Sequence, residues 1–291
     1  MNFIFIVGAP RSGTTWLQAL LASHPRVITG QETHFFSAIK KFLSFYDERK
    51  DWRNIGLYAY WSKKDVSRLV RSYFLKFIEP VLSNSAEALF FVEKSPEHTV
   101  LMPFIAECFP EARFIHIIRD ARHMVASLIR VSKRNNQYVS PTVASLVWRD
   151  FVSTGIAFGR QLPSEKYLEL RYEDLRMNTL DLLSRIFTWL SLDCDQTLLS
   201  RIVEKCSLTK VKKSKKFDVI KSSSSEPNGF FAEGAIGQSF SLTKLELYRV
   251  YEICGSLLKE LGYIRSVPKI PLWVRIAYSH KLRKLLRLRE I

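Results

Sequence analysis

Residues 3–25 read FIFIVGAPRSGTTWLQALLASHP, and this stretch organises the chain. Phe3 to Val7 is a short apolar run that predicts a strand. Gly8 to Gly13 is a loop punctuated by glycine and proline. Thr14 and Thr15 then open a helical pattern with Trp16, Leu17, Leu20 and Leu21 on one face. Strand, glycine loop and helix together present backbone N–H groups and a positive helix end to a phosphate. Gly8 and Gly13 stand in the frame of GxxxxGK[ST], but Thr14 occupies the lysine position. That lysine normally reaches the β- and γ-phosphates of a triphosphate. Without it the loop still cradles one phosphate, and the positive charge moves to Arg11. The expected ligand is a nucleotide with a short 5′ phosphate chain.

Further apolar runs alternate with helical patterns down the chain. Val27–Phe36 predicts a second strand with a loop at its carboxyl end. Leu89–Val92 is a third run and leads into Glu93-Lys94-Ser95-Pro96. Arg113–Ile118 is a fourth and leads into Arg119-Asp120. Lys166–Leu170 is a fifth, followed by Arg171-Tyr172-Glu173-Asp174-Leu175. Helices are expected over 64–82, 99–109, 121–134, 142–160, 178–190, 196–206 and 242–261. In the first, Val66, Leu69, Val70, Tyr73, Phe74 and Phe77 should point inward, with Pro80 in its last turn or beyond. Asp120 should cap the helix that follows it. Runs this continuous, alternating with helices, indicate an α/β fold with a central parallel sheet of about five strands flanked by helices. Such sheets bind ligands beyond the carboxyl ends of their strands. The Gly8 loop, Glu32, Lys94, Arg119 and Tyr172 all fall there.

The chain has 44 Lys and Arg against 28 Asp and Glu, a formal charge of +16. That excess favours an anionic partner without choosing among nucleotides, acidic glycans, nucleic acid and membranes. Cys108, Cys194, Cys206 and Cys254 are too scattered for a metal site. No apolar run approaches a membrane span and no basic leader precedes strand one, so a cytoplasmic protein is expected. Lys210–Lys221 is a lysine cluster that runs into four serines, and FFAEGAIG (230–237) is a glycine-containing loop. From Pro268 the sequence becomes a basic amphipathic tail. It suits either peripheral membrane contact or packing on its own domain. The expected division is a domain over 1–264 and a tail over 265–291.

Arg119 ends a strand, and Ser127 lies two turns into the next helix. A guanidinium and a hydroxyl so placed can hold a second phosphate dianion. With the Gly8 loop, this implies a nucleotide carrying two separate phosphate groups.

Here the chain resembles the sulfotransferases that use 3′-phosphoadenosine 5′-phosphosulfate (PAPS). GAPRSGTTWL (8–17) looks like their 5′-phosphosulfate loop, and RDARHMVAS (119–127) like their 3′-phosphate motif. RYEDL (171–175) and FFAEG (230–234) match further segments in order. QETHFF and EKSP look more like the bacterial and glycan-modifying branches than the cytosolic phenol enzymes. The resemblance implies a P-loop-type three-layer fold and no metal. It implies that Arg11, Ser12, Gly13, Thr14, Thr15 and Trp16 hold the 5′ side of the nucleotide. Arg119 and Ser127 would hold the 3′ phosphate, with Tyr172, Phe231 and Gly234 lining the same site. Where the family's late loop commonly reads arginine-lysine-glycine, this chain has Ala232-Glu233-Gly234. That change removes a 3′-phosphate contact.

For the chemistry, Arg11 and Lys94 are the candidates to stabilise the sulfuryl and bridging oxygens. Glu32 and His34 are the candidate bases, and would share a face if their segment were extended. His98 is a third, more remote candidate. The aromatics between Phe35 and Trp61 suit either an acceptor pocket or a core. A hydroxyl, or an amine, of a glycan, glycolipid or small metabolite is the expected acceptor, with no role for nucleic acid. Two other readings are a P-loop nucleotide kinase, against which Thr14 stands, and a non-enzymatic polyanion-binding module.

Overall fold

The structure is a computed structural model that describes residues 1–47, 60–83, 87–206 and 241–272. Its centre is a five-stranded sheet in the order β2-β3-β1-β4-β5. The strands are β1 (Asn2–Val7), β2 (Val27–Thr29), β3 (Phe90–Glu93), β4 (Arg113–Ile118) and β5 (Tyr167–Arg171), and every pairing is parallel. Between and after them lie α1 (Thr14–Leu21), α2 (Phe35–Asp47), α3 (Lys63–Leu82), α4 (Met102–Cys108), α5 (Ala121–Arg134), α6 (Pro141–Gly159), α7 (Tyr172–Met177), α8 (Thr179–Leu190), α9 (Gln196–Lys205) and α10 (Lys244–Glu260). A short 3-10 turn, Pro96–Leu101, precedes α4.

Strand alternation sorts the side chains of β1 onto two cores. Phe3, Phe5 and Val7 face Phe36, Phe74, Phe109 and Phe114 under α2 to α4. Ile4 and Ile6 face Leu17, Leu20, Ile186 and Phe187 under α1 and α8. A third cluster joins α5, α6 and α10 around Trp148, Val125 and Leu258. Local signals start the helices. Ser62 and Asp65 form a capping box on α3, as Thr243 and Glu246 do on α10. Asp120 caps α5 by accepting from the Arg122 backbone N–H.

Several expectations change. The second strand is only Val27–Thr29, and α2 begins at Phe35. Helix α3 buries Val66, Val70, Phe74 and Ile78, one i,i+4 stripe, while Leu69, Tyr73 and Phe77 are exposed. A second stripe one position away cannot reach the same sheet; Tyr73 and Phe77 instead flank the Phe35 ring, at 5.3 and 5.6 Å. Pro80 sits inside α3. Phe35 and Phe36 are core, whereas Phe42, Tyr60 and Trp61 are exposed, so these aromatics divide between interior and surface. The side chains at 45, 46, 52 and 58 lie outside the described residues. So do the 210–221 cluster, the 230–237 loop and the tail from residue 273. Among the described residues no helix is long and apolar enough to cross a membrane.

His116, in mid-β4, is fully buried with Nδ1 2.8 Å from the Tyr167 hydroxyl. Burial, helped by the Arg160 charge, pushes its pKa down to about 3. The unfolded chain therefore binds a proton that the folded chain refuses. Stability from neutral His116 is complete above about pH 6.5 and is lost as pH falls towards 3. Thermal melts should show the midpoint dropping below pH 6.5 in the wild type, and less steeply in His116→Gln.

Candidate active site

The strand order places the site. β1 leads through α1 to β2 on one side, whereas β4 leads to β5 on the other. The crevice between the ends of β1 and β4 is thus the switch point, where open α/β sheets take ligands. The Gly8–Gly13 loop leaves β1 there and Arg119 leaves β4.

The loop is shaped by backbone demands. Gly13 has φ 96°, and a Cβ on it would lie 2.4 Å from Tyr172 Cδ2. Arg11 itself adopts φ 66°. Thr99, from the 3-10 turn, clamps the loop start, with Gly8 N–H donating to its hydroxyl at 2.7 Å. The N-cap of α1 is Gly13, which has no side chain to accept from the first N–H groups of the helix. Gly13→Ala should lower the thermal midpoint by about 2–6 °C, combining positive-φ strain with the Tyr172 clash. It should also weaken binding of adenosine 3′,5′-bisphosphate (PAP) in calorimetry.

Two loops of distant sequence meet at this crevice through Arg11. Its Nε lies 3.3 Å from Ser127 Oγ on α5, and Arg119 Nη1 donates to the Arg11 carbonyl at 3.0 Å. The Arg119 guanidinium also stacks 4.4 Å over the Tyr172 ring. Tyr172 is buried, wedged between Gly13, Trp16 and Arg119. Trp16 is buried too, and its indole N–H donates to the Cys206 carbonyl at 2.9 Å. Arg119 is held from behind by Trp148 Nε1, which donates to its carbonyl at 2.7 Å. Ser12 Oγ and Arg119 Nε are buried without a hydrogen-bond partner among the described residues. Buried donors with no acceptor are costly. Together with the uncapped helix end and the guanidinium of Arg119, they fit an anion with more than one phosphate group. Thr14 and Thr15 stand at that helix end. Phe231 and Gly234 lie outside the described residues.

A second group forms at the ends of β2 and β3. Lys94 is 1% exposed and its ammonium donates to Glu32 Oε1. Its partner is therefore neither of the neighbouring carboxylates, Glu93 and Glu97. Glu32 is 17% exposed, and its Oε2 lies 3.5 Å from His34 Nε2. His34 does not continue an extended segment, having φ 50°. Its Nδ1 contacts Glu97 Oε1. Burial disfavours its charged form, but the Glu97 hydrogen bond and charge, backed by Glu32 and Glu93, raise its pKa above the ordinary value.

Beneath this pair lies Glu93, fully buried. It accepts from Thr33 Oγ1 and Ser95 Oγ at 2.8 Å each, from Thr33 N at 3.3 Å, and pairs with His98 Nδ1 at 2.7 Å. Burial alone would raise its pKa; His98, Ser95 and Thr33 outweigh that and lower it. His98 is fully buried in this pair. Sequence reasoning did not single out Glu93, Glu97 or Thr99. The signal was the density of E-K-S-P-E-H-T (93–99), polar residues immediately after a buried strand.

The model of the sulfotransferase family matches residues 3–196. The chain belongs to the sulfotransferase family. Among its relatives, the protein-tyrosine sulfotransferase of Drosophila melanogaster is 26% identical over 201 residues, covering 68% of this chain and 40% of that protein. Protein-tyrosine sulfotransferase 1 of Mus musculus is 31% identical over 129 residues, covering 44% of this chain and 34% of that protein. The chain thus aligns with less than half the length of these relatives. Among solved structures, mouse sulfotransferase SULT7A1 complexed with PAP superposes with a TM-score of 0.58 at 16% identity, covering 89% of this chain and 88% of that one. The sulfotransferase domain of the Synechococcus PCC 7002 olefin synthase gives 0.53 at 20% identity, covering 88% and 94%. These structural likenesses bear out the parallel α/β sulfotransferase fold.

Proposed function

We propose that this sulfotransferase-family chain transfers a sulfuryl group from PAPS to a hydroxyl of an acceptor. The observation that carries the reading is that a two-ended phosphate grip and a carboxylate–lysine pair both stand at the carboxyl ends of strands of one sheet. The grip is the Gly8–Gly13 loop with Arg119 and Ser127. The pair is Glu32 and Lys94.

In this reading the loop and α1 N-terminus hold the 5′ phosphosulfate, and Arg119 and Ser127 hold the 3′ phosphate. Trp16 and Tyr172 build the wall between them. Glu32 Oε2 takes the acceptor proton while the acceptor oxygen bonds to sulfur. The bond from sulfur to the bridging phosphate oxygen breaks, and the electron pair stays on the phosphate. Arg11 and Lys94 offset the charge that gathers on the bridging and sulfuryl oxygens. Lys94 also aims Glu32, since its own ammonium is buried and has Glu32 as its charge partner.

The relatives reported above are protein-tyrosine sulfotransferases, which supports a phenolic hydroxyl on a peptide. The chain's charge of +16 supports an anionic acceptor. The second reading keeps the glycan, glycolipid or small-metabolite hydroxyl, which that charge suits equally. A cytoplasmic site of action, and membrane contact through the basic tail, belong to this proposal too.

Calorimetry of the full chain with PAP tests the donor. Failure to bind PAP sinks the reading. Transfer of labelled sulfate from PAPS to an acidic tyrosyl peptide, compared with an acidic oligosaccharide, then separates the acceptors.

A further inference from the structure

His34 sits between two carboxylates, and Glu32 has only one oxygen to spare for an acceptor. Lys94 occupies Glu32 Oε1, and Oε2 lies 3.5 Å from His34 Nε2. On its other side the ring meets Glu97 from the 3-10 turn. The hydrogen bond to Glu97 assigns the ring proton to Nδ1 when His34 is neutral, leaving a lone pair on Nε2. A lone pair facing a carboxylate oxygen offers no bond. A proton on Nε2 offers a charge-assisted one.

The backbone of His34 is pinned, so protonation acts on the side chain alone. Its N–H donates to Ser95 Oγ at 3.2 Å, and its carbonyl accepts from Ala38 N–H at 3.1 Å at the start of α2. Ser95 Oγ is in turn bound to buried Glu93. A non-glycine residue at φ 50° persists only where its surroundings over-determine it. The side chain remains 59% exposed and open to solvent protons. The charged groups around it are Glu32 on its own loop, Glu93 and Lys94 at the end of β3, and Glu97 beyond them.

We propose that His34, oriented by Glu97, is a positioning residue for the base: protonated, it binds Glu32 Oε2 and withholds it from the acceptor; neutral, it releases that oxygen. The inference rests on Glu32 being the base, as proposed above. The acidic limb of the pH profile then belongs to His34 rather than to Glu32. The carboxylate surroundings, which raise the histidine's pKa, place that limb above the ordinary histidine range.

Two measurements on the full chain test it. The first is the pH profile of kcat/KM for sulfation of an acidic tyrosyl peptide. His34→Asn should raise kcat/KM on the acidic side of the wild-type limb, where the protonated ring would otherwise hold Glu32 Oε2. It should also move the acidic limb down into the carboxylate range. Glu97→Gln should move the limb down by a smaller amount, because it removes the largest group raising the His34 pKa. The proposal is overturned if His34→Asn loses activity at every pH, which would make His34 itself the base. It is equally overturned if the limb stays where it is in the wild type.

The second measurement does not need turnover. NMR titration of the His34 ring should show the Nδ1–H tautomer at high pH and a raised pKa that falls in both Glu32→Gln and Glu97→Gln. A pKa unmoved by Glu32→Gln rules the proposal out. Absence of any sulfation by the wild type would instead count against the function reading, and the titration would still decide the pairing.

Discussion

Glu32→Gln is expected to cut kcat for sulfuryl transfer by about 10²- to 10⁴-fold, the span of a lost general base. The amide keeps the shape of the carboxylate, and its oxygen can still accept from Lys94. The loop between β2 and α2 should therefore stay in place, and PAP should bind as in the wild type. That split distinguishes loss of proton transfer from loss of the fold. Calorimetry with PAP and single-turnover transfer from PAPS give the two halves of the measurement. Full transfer activity in Glu32→Gln would remove it as the base and return the role to His34, its nearest titratable neighbour.

Arg119→Ala is expected to weaken PAP by about ten- to 150-fold, corresponding to roughly 1.5–3 kcal/mol for hydrogen bonds to a charged group. The buried Nε of Arg119 has no protein acceptor among the described residues, so a phosphate would complete it. The control ligand is adenosine 5′-phosphosulfate, which lacks the 3′ phosphate. Its affinity should change far less, because Arg119 would face nothing on it. The control matters because Arg119 also holds the Arg11 carbonyl. Equal losses for the two ligands would mean that Arg119 acts by bracing the Gly8–Gly13 loop and not by reading the 3′ phosphate.

Much of the donor side was legible because it is contiguous. Gly8, Gly13 and the hydroxyls of 12, 14 and 15 sit in one strand-loop-helix unit whose geometry follows from local chain preferences. The five strands were legible as apolar runs, since a sheet covered on both faces cannot hide its composition. The inward face of α3 was misread at Leu69, Tyr73 and Phe77. Helical periodicity locates an apolar arc, but the neighbouring surface decides how much of the arc is covered. The strained turn at His34 carried no glycine to announce it.

The sequence by itself determined the phosphate loop, the cap at Asp120 and the parallel α/β class, all from interactions within a few residues or from the periodicity of single elements. Tertiary structure alone decided the pairing on which the proposed chemistry rests. Glu32 and Lys94 are 62 residues apart and meet because β2 and β3 are hydrogen-bonded neighbours in the sheet. Arg11 and Ser127 are 116 apart and meet because β4 lies on the other side of β1. Strand order depends on how the helices bury two faces of one sheet. That is a property of the whole packed chain, and no local stretch encodes it.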